Sequence, residues 1–395
     1  MPLGGHHELA LDDVSGVGEG GIDVATGVVR RKHLHDVLDV KYATAGFGIG
    51  QGGHRWGRVV VHDNEARGTF GLFESLGDDE RHCLSGVVHN VALHRSEAHA
   101  GQHNWTAADL PAMSGRTVVV TGASSGLGLV TARELATAGA RVVLAVRDEA
   151  KGRNAAVAMP GTTEVRPLNL SSLASVRAFA TAWTGSLDIL INNAGIMQVP
   201  EGRTSDGFEV QIATNHLGPF ALTNLLMPHI TDRVVTVSSE THKRGHIDPE
   251  DLNGENRPYE SFQTYCDTKL ANLLFAFELQ RRLTHAGGSV RSMAAHPGIS
   301  KTDLGRDVTG FKGLGLKILA SFAQDAEHGA LPTLYAATAQ LPGGSYVGPD
   351  GPGERRGYPT IVQASEAARD GQLARRLWGA SSRLTDTGQT LAPAS

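Results

Sequence analysis

The sequence predicts an α/β fold in which a parallel sheet of about seven strands carries helices on both faces, behind an irregular N-terminal extension. Three observations predict it. From Trp105 onward, short apolar runs alternate with stretches of helical periodicity. A glycine-rich turn follows the first of those runs, and polar clusters follow the later ones. The carboxyl ends of parallel strands are where open α/β sheets bind ligands.

Residues 1–104 come first and are unlike the rest. They hold 11 of the 18 histidines, 18 of the 49 glycines and, of the 16 prolines, only Pro2. The segments "GVGEGGIDVATGVVRR" and "YATAGFGIGQGGHRWGRVVVHD" look like strands in scraps, with glycine where a strand should pack. Such a stretch struggles to offset its ordering entropy. We expect an extension without function of its own, read from a start placed too far upstream. Alternatives are a disordered regulatory segment or a small glycine-rich β module. His6, His7, His33 and His35 lack cysteine partners at zinc spacing.

The domain expected over 105–395 opens with the strand Thr117–Val120, and Leu129, Ala132, Leu135 and Ala136 then repeat at helical spacing. A second strand is expected at Arg141–Val146. Further strands follow at Leu187–Ile191, Arg233–Val237 and Val290–Ala295, with helices at Gln211–Met227 and Tyr265–Arg282. This is the doubly wound, Rossmann-type pattern.

Composition excludes several classes. The net charge is −5, and residues 1–104 carry 14 acidic and 9 basic side chains, which leaves 27 of each in the remainder. Nothing favours nucleic acid or an anionic membrane as partner. Two cysteines, Cys83 and Cys266, make no disulfide framework. No apolar run reaches the ~20 residues of a membrane span, so a cytoplasmic location is expected.

Gly122, Gly126 and Gly128 lie between a strand and a helix. Without side chains they let the backbone turn tightly against a pyrophosphate, while the helix start offers free N–H groups. Ser124, Ser125 and Leu127 complete that cradle. The same residues, Gly122 to Gly126, also match G-x-S-x-G, the nucleophile elbow of hydrolases, for which His296 is the one well-placed base. At the end of the second strand an acid would favour NAD(H) through the ribose hydroxyls. Here Arg147 follows Val146, which suits the extra phosphate of NADP(H). Arg147 also reads as a solvated strand end, and Asp148 beside it blurs the signal.

Tyr265 and Lys269 stand four apart on a strongly periodic helix and share a face. Chance gives about 0.12 such pairs from 6 tyrosines and 8 lysines in 395 residues. An ammonium beside a phenol brings its pKa down from about 10 toward neutrality. "NNAG" at 192–195, Asn215 in "ATNHLGPF", Ser238-Ser239 after "RVVTV", and "HPG" at 296–298 complete the set. In this order the motifs closely resemble those of the short-chain dehydrogenase/reductase family over Trp105 to Trp378, about 70% of the chain. "AVRD", "SLASVR", "YCDTKLANLLF" and "GPDG" are most similar to its retinol-dehydrogenase-like and protochlorophyllide-reductase-like branch.

The resemblance implies an oxidoreductase acting on CH–OH and C=O groups with NADP(H) preferred over NAD(H), and no metal. It implies that Tyr265 exchanges the substrate proton, Lys269 holds the nicotinamide ribose and lowers the tyrosine pKa, Ser239 orients the carbonyl, and Asn215 anchors a water leading to Lys269. Asn193, Ala194 and Gly195 would line the adenosine side, with Asn169 and Leu170 at the adenine. Pro297, Gly298 and Thr302 would meet the nicotinamide. Asn169 stands where the family usually has aspartate.

Ser239 and Tyr265 are 26 apart, about twice the core family's gap, so residues 241–263 form an insertion. It is expected to wall the substrate site and to hinder the common oligomer interface, although a homo-oligomer stays compatible with the fold. Phe311–Phe322 suits a mobile apolar lid, and hence a small apolar carbonyl or alcohol, or else plain core. Cys266 reads as helix filler, and His242, His246 and His296 as surface or turn residues. A dinucleotide-sensing protein without chemistry is the rival reading; the joint presence of Tyr265, Lys269 and Ser239 argues against it.

Overall fold

The computed structural model describes residues 104–299 and 325–388, together with the backbone of five strands before residue 104. Thr302, the lid expected over Phe311–Phe322, and His6, His7, His33 and His35 lie outside the described residues. The chain divides into two compact units, Met1–His103 and Asn104–Ser395.

In the first unit, strands β1 (Asp12–Val17), β2 (Asp23–Val29), β3 (Val40–Ile49), β4 (Arg55–Asp63) and β5 (Arg67–Phe73) pair in sequence order. All four pairings are antiparallel. The strand-like scraps of the sequence fall on β1–β2 and on β3–β4.

The second unit begins with β6 (Thr117–Thr121), α1 (Gly126–Thr137), β7 (Arg141–Val146), α2 (Glu149–Val157), β8 (Thr162–Pro167) and α3 (Leu173–Thr181). Then come β9 (Leu187–Asn192) and α4, residues 210–226, in which Val210–Ile212 and Gly218–Leu226 flank a π-helical turn at Ala213–Leu217. β10 (Ile230–Val237), α5 (Ser261–His285), β11 (Arg291–Ala295) and α6 (Ala326–Thr338) follow. Last are β12 (Tyr346–Pro349), β13 (Pro359–Ile361), α7 (Glu366–Arg369) and α8 (Gly371–Thr385).

The sheet order is β13-β12-β11-β10-β9-β6-β7-β8. Seven strands run parallel, as expected, and short β13 is antiparallel to β12. After β8 the chain returns to lay β9 beside β6, so the winding direction reverses between those two strands. That reversal opens a crevice at their carboxyl ends.

Strand residues alternate between two cores. Val118, Val120, Val142, Leu144, Ile189 and Ile191 pack with α1 and α6 on one face. Val119, Val143, Leu190 and Val234 pack with α3, α4 and α5 on the other. Helix α8 closes the second face: Trp378 stacks on Phe275 at 5.8 Å and meets Phe220 edge-on at 4.9 Å. At the opposite, amino edge of the sheet Asp232 gathers Arg116, Arg233 and Arg291.

Candidate active site

At the glycine turn, Gly122 (φ +68°) and Gly126 (φ +56°) take left-handed backbone that suits glycine. A Cβ on Gly122 would lie 3.0 Å from Ala194 Cα, and one on Gly128 would collide with Asn193 Nδ2 and sit 2.6 Å from the Gly122 carbonyl oxygen. Beyond Gly126 a Cβ would meet nothing within 4 Å. Ser125, the N-cap of α1, makes no side-chain cap bond, so the first-turn N–H groups of Leu127 and Gly128 are left uncapped. The turn therefore fits a phosphate group.

Thr121 ties this turn to the loop after β9. Its hydroxyl accepts the N–H groups of Asn193 and Ala194, each at 3.0 Å, while Asn193 Nδ2 donates to the Thr121 carbonyl at 2.9 Å. The sequence analysis gave Thr121 no role, although it stands immediately before Gly122 of the glycine turn. Asn193 thus shapes the crevice floor with its side-chain amide.

Arg147 is exposed and makes no ion pair among the described residues. Asp148 is occupied elsewhere: it caps α2, accepting Lys151 N–H at 3.0 Å. Asn169 Oδ1 accepts from the backbone and hydroxyl of Ser171, at 3.2 and 2.8 Å, in a turn that a neutral amide serves as well as a carboxylate. Leu170 is buried beside it.

The catalytic candidates meet where β10 ends and α5 begins to pass. Tyr265, Lys269 and Asn215 are buried, the last completely. Lys269 Nζ lies over the Tyr265 ring, 5.5 Å from its centroid, and donates to the Val237 carbonyl at 3.3 Å. Gly195 sits between the groups: a Cβ there would stand 3.3 Å from Asn215 Oδ1 and 3.5 Å from Lys269 Nζ. Asn215 lies within the π turn and clasps Ile196, accepting its N–H and donating to its carbonyl at 2.8 Å each. Such turns mark functional sites because they release backbone from the regular ladder.

Burial opposes charge here. It lowers the Lys269 pKa from 10.5 to about 8. It raises the Tyr265 phenol, and a hydrogen bond with Ser239 works in the opposite direction. The two adjacent serines differ. Ser238 is buried and donates to the Lys269 carbonyl at 2.7 Å, whereas Ser239 is half-buried, accepts Thr241 N–H at 3.2 Å and reaches Tyr265.

The insertion docks through Ile247 and Leu252 onto α4 and α5. Tyr259 accepts from Gln211 at 2.9 Å and donates to the Val199 carbonyl at 2.8 Å, which holds the insertion to the loop after β9. After β11, Gly298 (φ +63°) turns where a Cβ would collide with the Arg355 carbonyl, and Ile299 N–H donates to that carbonyl at 2.8 Å. Pro297 is half-buried in the same turn.

Two histidines depart from expectation. His242 and His296 do lie at turns, but they are buried, at 1% and 0% exposure, because both serve as hydrogen-bond hubs beside Tyr346. His246 is exposed. His296 accepts Gly298 N–H at Nδ1 (3.3 Å) and meets Glu354 at Nε2 (3.1 Å), which leaves neither ring nitrogen for Ser124. Cys266 is fully buried in α5, and burial raises its thiol pKa. Among the described residues no cluster could hold a metal ion, and no helix is long and apolar enough to cross a membrane.

A family profile for short chain dehydrogenases matches residues 116–313. The chain belongs to the short-chain dehydrogenase family. It is 40% identical to human retinol dehydrogenase 13 over 291 residues, covering 68% of this chain and 84% of that protein. It is 39% identical to mouse polyprenol dehydrogenase over 303 residues, covering 71% and 86%. A crystal structure of an uncharacterized protein from Mycobacterium paratuberculosis is 52% identical, covers 73% of this chain and all of its own, and superposes with a TM-score of 0.65. These relatives place the short-chain dehydrogenase in the retinol-dehydrogenase-like branch, as an oxidoreductase of alcohols and carbonyls.

Proposed function

We propose that this short-chain dehydrogenase interconverts an apolar alcohol and its carbonyl compound with NADP(H), using Tyr265 as acid–base, Lys269 as its electrostatic partner and Ser239 as the group that orients the substrate oxygen. The observation that carries the proposal is the convergence of Tyr265, Lys269, Asn215 and Gly195 beside Ser239, at the carboxyl edge of β9 and β10.

The uncapped start of α1 and the space beyond Gly126 fit the pyrophosphate, and Arg147 fits the 2′-phosphate of NADP(H). Asn169, Leu170, Ala194, Pro297 and Gly298 complete the site on this reading. When bound, the nicotinamide supplies or accepts the hydride. The chain's own residues manage the proton. Ser239 and Tyr265 present two hydroxyls to one substrate oxygen. Ser239 Oγ accepts Thr241 N–H, so its hydroxyl takes part toward Tyr265 and the substrate oxygen as a donor. In reduction, the Tyr265 hydroxyl gives its proton to the developing alkoxide; in oxidation, the phenolate takes one from the alcohol. A Lys269 ammonium close by favours the phenolate, and Asn215 holds the Ile196 backbone that floors this corner.

The relatives' names, retinol and polyprenol dehydrogenase, support a long apolar substrate. The insertion, held by Tyr259, walls the site. We further propose that the unit 104–395 carries the activity by itself, since it contains every residue named.

The test follows nicotinamide fluorescence during titration with NADPH and NADH, then hydride transfer to retinaldehyde and to shorter apolar aldehydes, with Tyr265→Phe as control. NADPH binding with turnover that Tyr265→Phe abolishes supports the proposal. Failure of wild type to bind either nucleotide sinks it. A protein that only senses the dinucleotide gains nothing by burying an ammonium at Lys269, so its cost argues for chemistry.

A further inference from the structure

His242 lies one turn beyond Ser239, and its ring is 1% exposed. Nδ1 stands 2.8 Å from the Ser239 carbonyl oxygen, and Nε2 stands 3.1 Å from the backbone nitrogen of Ser365. These two partners fix the tautomer. A backbone N–H only donates, so Nε2 must accept from Ser365, and the single ring proton must sit on Nδ1, donating to Ser239. The ring therefore bridges the turn that carries Ser239 and the segment that follows β13. Tyr346 packs edge-on against it, with ring centroids 5.7 Å apart at 86°.

We propose that His242 is a positioning residue: it anchors the Ser239 backbone to the chain at Ser365, and so sets where the serine hydroxyl meets the substrate oxygen. The proposal rests on the reading of Ser239 given above. No other contact among the described residues ties the Ser239 carbonyl to the second half of the sheet: the Ser239 carbonyl otherwise accepts only His242's own N–H, at 3.0 Å within the turn. Ser238, by contrast, is pinned independently through the Lys269 carbonyl.

Protonation of Nε2 would set an N–H against the Ser365 N–H and break the bridge. Several charged groups face the ring. Lys243 precedes an ion-pair chain to Glu240 at 3.3 Å and Glu354 at 3.7 Å, and His296 meets the same Glu354 at 3.1 Å across Tyr346. Burial, with Lys243 and His296 in the same direction, lowers the His242 pKa; the Ser239 carbonyl and Glu354 oppose the shift. The bridge therefore holds at neutral pH.

Asparagine and glutamine separate the two halves of the bridge. The side-chain nitrogen of an asparagine at this position reaches the place of Nδ1, whereas a glutamine amide reaches the place of Nε2. His242→Asn keeps the donor to Ser239 and loses the acceptor for Ser365; His242→Gln does the reverse. Each variant cuts the bridge at one end, and misplacing a reacting group by about 1 Å costs on the order of 100-fold in rate, so kcat should fall about 30-fold or more in both. NADPH affinity should be unchanged in both.

Histidine nitrogen NMR on the full chain supplies a readout independent of turnover. The resonance lost in His242→Asn should belong to a neutral ring protonated at Nδ1. A proton on Nε2, a kcat within about 3-fold of wild type in either variant, or a loss of kcat matched by an equal loss of NADPH affinity overturns the proposal. Wild type that turns over no carbonyl defeats the proposed function and the catalytic meaning of the anchor, whereas the tautomer then still tells whether the bridge exists.

Discussion

The two sides of the crevice are built by opposite means. On the side proposed to hold the dinucleotide, around β6 and β7, the work falls mainly to backbone, two glycines at positive φ and an uncapped helix start, with one exposed arginine side chain beside them. On the side proposed to be catalytic, around β9, β10 and α5, it falls to side chains taken out of water, with Asn215, His216, His242, Tyr265 and Lys269 all buried. Backbone geometry stabilises the fold that it serves, whereas buried ionisable groups are held at a cost. Substitutions on the two sides should therefore separate activity from stability in different ways.

The largest effect is expected at the tyrosine–lysine pair. Tyr265→Phe and Lys269→Met should each lower kcat by about 100-fold or more, the scale of general acid–base catalysis. The lysine change should also stabilise the protein. With its pKa lowered from 10.5 to about 8 by burial, the ammonium is disfavoured in the fold by up to about 3 kcal/mol at pH 7. Methionine removes that term, and the Val237 carbonyl keeps Asn272 Nδ2 as donor at 3.1 Å. A raised urea midpoint together with lost turnover is the expected pair; a lowered midpoint breaks the contrast between the two sides.

On the backbone side, Gly128→Ala should do the reverse. The added methyl collides with Asn193 Nδ2 and the Gly122 carbonyl, so either the turn or the loop after β9 must shift. Overpacking of this kind costs about 1–3 kcal/mol. Dinucleotide affinity and the unfolding midpoint should fall together. An unchanged affinity, read by nicotinamide fluorescence, would mean that the glycine serves packing alone.

The same division governs how much the sequence disclosed. Glycines at fixed spacing and a tyrosine four residues before a lysine are local patterns, and the crevice could be placed from them. Strands β6, β7 and β9 stood out because both faces are buried and their runs are mostly apolar. Strand β8, "TTEVRP", lies at the sheet edge half-exposed and gave no apolar signal. Strands β12 and β13, four and three residues long, are too short to show an alternating pattern. His242 and His296 read as surface residues because their partners, Ser365 and Glu354, lie 123 and 58 residues away. Thr121 was hidden differently: its residue type was visible, but its bonds to Asn193 and Ala194 depend on the reversal of winding between β6 and β9.

A smaller effect on the catalytic side comes from pH. His216 lies in the π turn beside Asn215, fully buried, with Nε2 2.8 Å from Ser381 Oγ of α8. Burial lowers its pKa from 6.5 to about 4. The unfolded chain then binds the proton more readily than the fold between these values. The contribution is complete above pH 6.5 and is lost as pH falls toward 4, about 2 kcal/mol between pH 7 and pH 5. Carboxylates whose pKa values are lowered, such as Asp232, act only below that window. Urea midpoints at pH 7 and pH 5 should differ in wild type and differ by less in His216→Gln, where buried His242, its pKa also lowered, still acts in the same direction; an equal difference in both proteins would remove His216 from the account.

The smallest effect on the fold, and the most selective on function, is expected at Arg147. Its side chain is exposed and unpaired among the described residues, and neighbouring Asp148 already serves the cap of α2, so Arg147→Ala removes no structural contact. The unfolding free energy should stay within about 0.5 kcal/mol of wild type. A guanidinium facing a 2′-phosphate contributes a charge-assisted hydrogen bond of about 1.5–3 kcal/mol, so NADPH affinity should fall about 10- to 100-fold. NADH carries a hydroxyl at that position and should bind as before. The ratio of the two affinities, measured in wild type and variant at one ionic strength, isolates the contact from any general loosening of the turn. A fall in both affinities would place Arg147 in the backbone framework of the glycine turn, and equal affinities in wild type would assign the strand end to solvent.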